Sequence, residues 1–285
     1  MTKRKAASGR TEGMRSVCYF GLTLLIASLV GSPAYALDPM GPPASNLRKG
    51  EYMGGIDVSF TLQDLETTTG IWARSVGGIL TDSGAATLGT VEDFEIVRAY
   101  ATLGLGLTHS WEAVLRMGGT TGDPGDEFWG QGEQFDSGTE LVIGGGLRTT
   151  FFEEMALRIG GLVQANYCQF DGKLNASHWP SPHFLEIGVV EVQAALGATY
   201  LFSDRVSVYG GPFAHMIYGD LDYVYTEADA GAVATWRFTW DIDEDITYGG
   251  YLGTQIVLGK GCSLNVEYQH TGNANAIGAS LMCRL

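Results

Sequence analysis

Three observations predict the fold class before any element is placed. Apolar residues recur at every second position over long stretches, the connections between those stretches alternate long and short, and aromatic residues gather near the stretch ends. Period two marks a β-strand with two unlike faces. Together these observations predict an all-β chain: a closed antiparallel transmembrane β-barrel of about ten strands, with short periplasmic turns and long extracellular loops. Closure follows from the solvent, because an open sheet edge would leave backbone N–H and C=O groups unpaired in hydrocarbon.

Residues 1–36 stand apart from the rest. Lys3, Arg4, Lys5, Arg10 and Arg15 precede the apolar run VCYFGLTLLIASLV, and Ala34-Tyr35-Ala36 supplies a small-residue cleavage site. This pattern predicts a signal peptide over 1–36, with Met14 as an alternative start. The run is too short for a spanning helix, which needs about 20 apolar residues. A Pro-rich periplasmic leader is expected over 37–50 and the barrel domain over 51–285. Five of the 17 basic and one of the 32 acidic residues lie before Leu37, so the exported chain carries a net charge near −19. That charge argues against nucleic acid as a partner.

The strands follow in order. Alternation predicts them at 51–63, 92–107, 111–120, 138–151, 154–170, 184–202, 205–225, 245–258, 262–271 and 274–285. The clearest is VRAYATLGLGL, in which Val97, Ala99, Ala101, Leu103, Leu105 and Leu107 share one face. The intervening segments 64–91, 121–137, 171–183 and 226–244 are long. Those at 108–110, 152–153, 203–204 and 259–261 are short, as is the last at Gly272-Asn273. An even strand count brings both barrel ends to the side of the short turns. Trp111, Phe151, Phe152, Tyr200 and Phe202 lie near those turns; Phe128, Trp129, Trp179, Phe184, Tyr218, Tyr223, Trp236 and Trp240 lie near the long loops. Two such bands are expected at two membrane interfaces. The apolar face is therefore expected to point out into lipid.

The AYA ending of the leader segment, the run NLRKGEYMGGIDVSF into the first strand, and the alternation to the chain end resemble small outer-membrane β-barrel proteins of diderm bacteria, porin-like or OmpA-like. The resemblance is architectural and covers most of residues 50 to 285. It implies an outer-membrane location, contact with outer-membrane lipid and lipopolysaccharide, and delivery to the barrel-assembly machinery. Such proteins usually end in an aromatic residue, whereas here Ile277, Ala279, Leu281, Cys283 and Leu285 alternate to a final Leu.

A two-residue turn at Gly272-Asn273 would pair residues whose numbers sum to 545. Tyr268 then faces Ile277, Val266 faces Ala279, Leu264 faces Leu281, and Cys262 faces Cys283 at a non-hydrogen-bonded site. There Cα atoms lie about 4.5 Å apart, within disulfide reach. Two small apolar side chains on the membrane face is the other reading of the pair.

The inner face is expected to hold Arg98, Arg116, Arg148, Arg158 and Arg284 with Glu112, Glu140, Glu186, Glu191 and Glu267. Isolated ions on such a face are costly, so the ten should pair into a salt-bridged plug, or line a charged constriction. The loops are acidic. Asp123, Asp126, Glu127, Asp241, Asp243, Glu244 and Asp245 are expected on a solvated outer rim, where divalent cations could bind weakly. DIDEDITYGGYL fails as an EF-hand because Ile246 and Leu252 occupy the Gly and Glu positions.

No catalytic residues, metal ligands or cofactor emerge. The five histidines, His109, His178, His183, His215 and His270, lack the nucleophile or carboxylate neighbours a barrel hydrolase needs. The expected function is a structural or surface-interaction barrel. A small, weakly cation-selective porin-like channel is the alternative, and a membrane-embedded hydrolase the distant one.

Overall fold

The computed structural model describes residues 37–123, 134–175, 183–229, 231–259, 261–272 and 274–285. The predicted signal segment 1–36 lies outside them, as do Asp126, Glu127, Phe128, Trp129, His178, Trp179 and Asn273. The strands are β1 (Tyr52–Glu66), β2 (Gly70–Val76), β3 (Ile79–Ala86), β4 (Thr90–Gly106), β5 (Trp111–Asp123), β6 (Gln134–Asp136), β7 (Glu140–Glu154), β8 (Leu157–Asn175), β9 (His183–Leu201), β10 (Val206–Asp229), β11 (Ala232–Asp243), β12 (Thr247–Gly259), β13 (Cys262–His270) and β14 (Ala274–Arg284).

Ten of them close a ring in the order β12-β13-β14-β1-β4-β5-β7-β8-β9-β10, and β10 pairs back to β12. Every pairing in the ring is antiparallel. These are the ten strands that alternation predicts, and among the described residues no strand edge of the ring is left open.

The remaining strands correct the expectation of long loops. β10 has 24 residues, and only its first half, Val206–His215, pairs with β12. From Tyr218 onward it pairs with β11, which pairs with β2, which pairs with β3. A tilted strand needs about ten residues to cross a bilayer. The surplus length therefore rises past the membrane as a four-stranded extension. Segments 64–91 and 226–244 are hairpins of this sheet rather than irregular loops.

The outside of the ring is apolar between two levels. Leu103, Leu115, Leu196, Leu252 and Leu281 are all exposed on it. Trp111, Phe151, Phe152, Tyr200 and Phe202 mark the level near the short turns, with exposures of 44–67%. Tyr167, Tyr218, Tyr248 and Tyr268 mark the other level. Membership of that second band differs from the expectation. Tyr223 and Trp240 are buried and Trp236 half-buried, because they point across the extension toward its core. Rings at the ends of an apolar belt sit where hydrocarbon meets headgroups.

Interior residues fall into two zones. Beyond the outer aromatic band lies an apolar core of Phe94, Ile96, Val142, Phe170, Leu185, Ile187, Ile217 and Leu221, each 1% exposed or less. Toward the inner mouth the interior is polar, and it is not empty.

Candidate functional site

The segment expected to be a periplasmic leader occupies the inner half of the lumen. Leu37, Asp38, Met40 and Ala44 are at most 1% exposed, and Leu47 is 3% exposed. The local sequence DPMGPPASN explains how a segment without strand pairing survives there. Pro39, Pro42 and Pro43 lack N–H groups and resist strand formation, which leaves fewer donors to satisfy inside the barrel. Four of those that remain are met by wall carboxylates. Glu267 accepts the N–H of Met40 and of Gly41, both at 2.8 Å. Glu112 accepts the N–H of Asn46 at 2.9 Å and of Leu47 at 3.3 Å. The plug's carbonyls are met by wall donors. Arg116 donates to Pro39 O and Arg148 to Met40 O, each at 2.7 Å. Gln164 and Gln269 both donate to Asp38 O, at 3.2 and 2.9 Å.

Asp38 is the centre of this arrangement, and sequence reasoning missed it. Its carboxylate accepts from Tyr100 Oη at 2.7 Å and Ser59 Oγ at 3.1 Å, and stands 3.2 Å from Arg98 Nη1. Arg98 binds Glu191 through both Nη atoms. A guanidinium buried to this depth would be costly alone, and here it is forked between two carboxylates. Wall glycines leave room for the plug. A Cβ on Gly278 would lie 2.3 Å from Pro39 Cγ, and one on Gly160 would lie 2.6 Å from Pro43 O.

The expected charge network is only partly assembled. Arg98–Glu191 and Arg148–Glu112 are ion pairs, the latter at 3.1 Å. Arg116 stands 3.5 Å from Asp57, which was not among the expected residues, and Glu267 binds the plug's backbone rather than a cation. Glu140 is half-buried at the outer end of β7. Arg158 pairs with Glu153 and Arg284 donates to Asn46 O, both at the inner rim. Glu186 is a correction. Residues 186 and 191 differ by an odd number, so on one strand they face opposite sides. Glu191 is buried and Glu186 is exposed on the outside. Cys168, on the inner face, is buried with Sγ 3.4 Å from Arg98 Nη2.

At the outer end, Asp123, Asp241, Asp243 and Asp245 are exposed as expected. Glu244 is not: it is 4% exposed and turned inward. Burial, with Glu66 and Glu191 nearby, pushes its carboxyl up to about 8. Among the described residues, no group of three or more His, Cys, Asp or Glu is arranged to hold a metal ion. At the chain end, β13 and β14 pair in the expected register, with Cys262 opposite Cys283 at a Cα separation of 4.0 Å and the two sulfurs bonded.

No family model matches the chain, and no curated protein matches it. Solved structures do. The outer-membrane protease OmpT of Escherichia coli aligns over 82% of this chain and 94% of its own at 9% identity and a TM-score of 0.41. The translocator domain of the autotransporter NalP of Neisseria meningitidis aligns over 85% and 90% at 10% identity and a TM-score of 0.40. The toluene transporter TbuX of Ralstonia pickettii aligns over 89% and 95% at 11% identity and a TM-score of 0.39. The closed ring, the apolar belt between two aromatic bands and the charged interior make this chain a closed antiparallel transmembrane β-barrel.

Proposed function

We propose that the protein is a non-conducting, non-catalytic structural or surface-interaction barrel, which holds the four-stranded β10-β11-β2-β3 extension above the outer membrane. The observation that carries this reading is a lumen filled twice over. The inner half holds Leu37–Leu47 on at least eight hydrogen bonds to the wall, and the outer half is packed by Phe94, Phe170, Leu185, Ile187 and Leu221. An ion passing beside the plug would still have to displace the outer core. The extension is acidic on its outer face, where Asp220 lies opposite Asp241, and Asp222 lies opposite Glu186, itself opposite Asp171. Partial burial, and then neighbouring carboxylates, raise the ionisation ranges of Glu186 and Asp220. Such a rim suits cationic or cation-bridged partners, lipopolysaccharide phosphates among them.

Planar-bilayer recording on protein with the mobility of the folded barrel tests the reading. No single-channel steps are expected from the whole chain. Removal of residues 37–47 alone is also expected to leave it silent, since the outer core stays closed. Regular steps from the intact protein would replace this reading with the weakly cation-selective channel.

A further inference from the structure

Beside the plug the inner lumen keeps a cavity of about 310 Å³, bounded by Pro39–Pro42, Asn46 and Leu47 on one side and by β12, β13, β14, β1, β4, β5 and β7 on the other. Its charge is opposite to that of the chain. Arg116, Arg148 and Arg284 line it against a single carboxylate, Asp57, in a protein of net charge −15. Its polar groups are also incompletely used. Arg116 is 5% exposed, yet among the described residues its Nη1 has no hydrogen-bond partner, and neither has Nε of the 8%-exposed Arg148. Asn265, 6% exposed, gives its Nδ2 to Ser280 Oγ at 2.8 Å, and its Oδ1 has no partner among the described residues. Buried guanidinium N–H groups without acceptors are costly, and an oxyanion relieves that cost directly. Met53, Met282, Val257 and Leu47 give the remaining wall an apolar part, beside the polar Thr102, Gln255, Ser263 and Ser280. Arg284, whose side chain is 56% exposed, stands at the inner rim, so the cavity opens toward the periplasmic side.

We infer that this cavity is a binding site for a small monocarboxylate with a short apolar body, its carboxylate on Arg116 Nη1 and its chain against Met53 and Met282. The site is independent of the surface role proposed above and needs no conduction, because the apolar core closes the lumen beyond it. Entry and exit are from the periplasmic side.

Methyl-¹³C methionine NMR on the folded barrel in lipid nanodiscs reads the site directly, with hexanoate, hexanol and inorganic phosphate as probes. Saturable shifts of the Met53 and Met282 methyls by hexanoate are expected, with Met117 and Met155, which are exposed on the outside, unmoved. Hexanoate should bind about 10-fold or more tightly than hexanol, the worth of a charge-assisted hydrogen bond, and about 10-fold or more tightly than phosphate, the worth of burying its apolar chain. Arg116→Gln should weaken hexanoate by about 10–100-fold. Should that variant fail to fold, Ser263→Phe serves, since it fills the cavity and leaves every charged contact intact; it should abolish the shifts while keeping folded mobility. Hexanol or phosphate binding as tightly as hexanoate, no shift at Met53 and Met282, or undiminished binding to Ser263→Phe would overturn the site.

Discussion

Asp38 shows what a single residue does in this lumen. Arg98, Tyr100, Ser59, Gln164 and Gln269 from β4, β1, β8 and β13 all converge on it. Asp38→Ala would leave Arg98 to Glu191 and Cys168 and strand the hydroxyls of Tyr100 and Ser59. Losing one partner of a buried pair costs on the order of 3 kcal/mol. Urea unfolding in lipid should show a loss of that size, whereas Asp245→Ala on the exposed rim should show almost none. Glu244 gives the second prediction at this scale. Its carboxyl is raised to about 8 in the folded state, against about 4.3 in an unfolded chain. A raised group favours the folded state below the unfolded value and loses that contribution as pH rises through the folded one. The outer end of the barrel should therefore gain stability on acidification from pH 8 to 5, by on the order of 2–4 kcal/mol at most. Glu244→Gln should flatten that dependence in a pH series of unfolding midpoints. A pH profile unchanged by the substitution would remove Glu244 as its cause.

The strands were legible because their two faces meet unlike solvents. Val97 to Leu107 alternates so cleanly because lipid selects one face of β4 and the lumen the other. Turn length then set the β13–β14 register, and with it the Cys262–Cys283 pairing. Mass spectrometry of unreduced protein, unfolded and alkylated, should find Cys168 labelled and the pair unlabelled; labelling of Cys262 and Cys283 would contradict the bond. The strands of the extension were harder to see. TWRFTWDID alternates across β11, but it lies beyond the bilayer, and its length fits a loop as readily as a hairpin. The plug carried no signal of its own. Asp38 to Asn46 has no periodicity, and its bonds to the wall join groups 21 to 238 residues apart, such as Asp38 to Ser59 and Asn46 to Arg284. One trace existed: the glycines of the inner face. Gly278→Val should expel Pro39, since the added Cβ would sit 2.3 Å from its Cγ, yet leave the ring paired. Protease cleavage within residues 37–50 of an otherwise folded barrel is the readout.

For the whole molecule, lipid outside and protein inside divide the work. The apolar belt needs only area, and single changes such as Leu103→Ala on the lipid face should cost little. The interior needs pairing, so each buried ion depends on a partner drawn from another strand or from the plug. The leader thus becomes the last piece of the barrel core, holding positions a channel would leave to water. Amide exchange at Met40, Gly41, Asn46 and Leu47 tests this most directly. Seated against Glu267 and Glu112, these four amides should exchange as slowly as those of the ring strands and quicken together in Glu267→Ala. Exchange of all four at the rate of a free peptide in the intact barrel would mean that the leader hangs outside and the inner lumen is open.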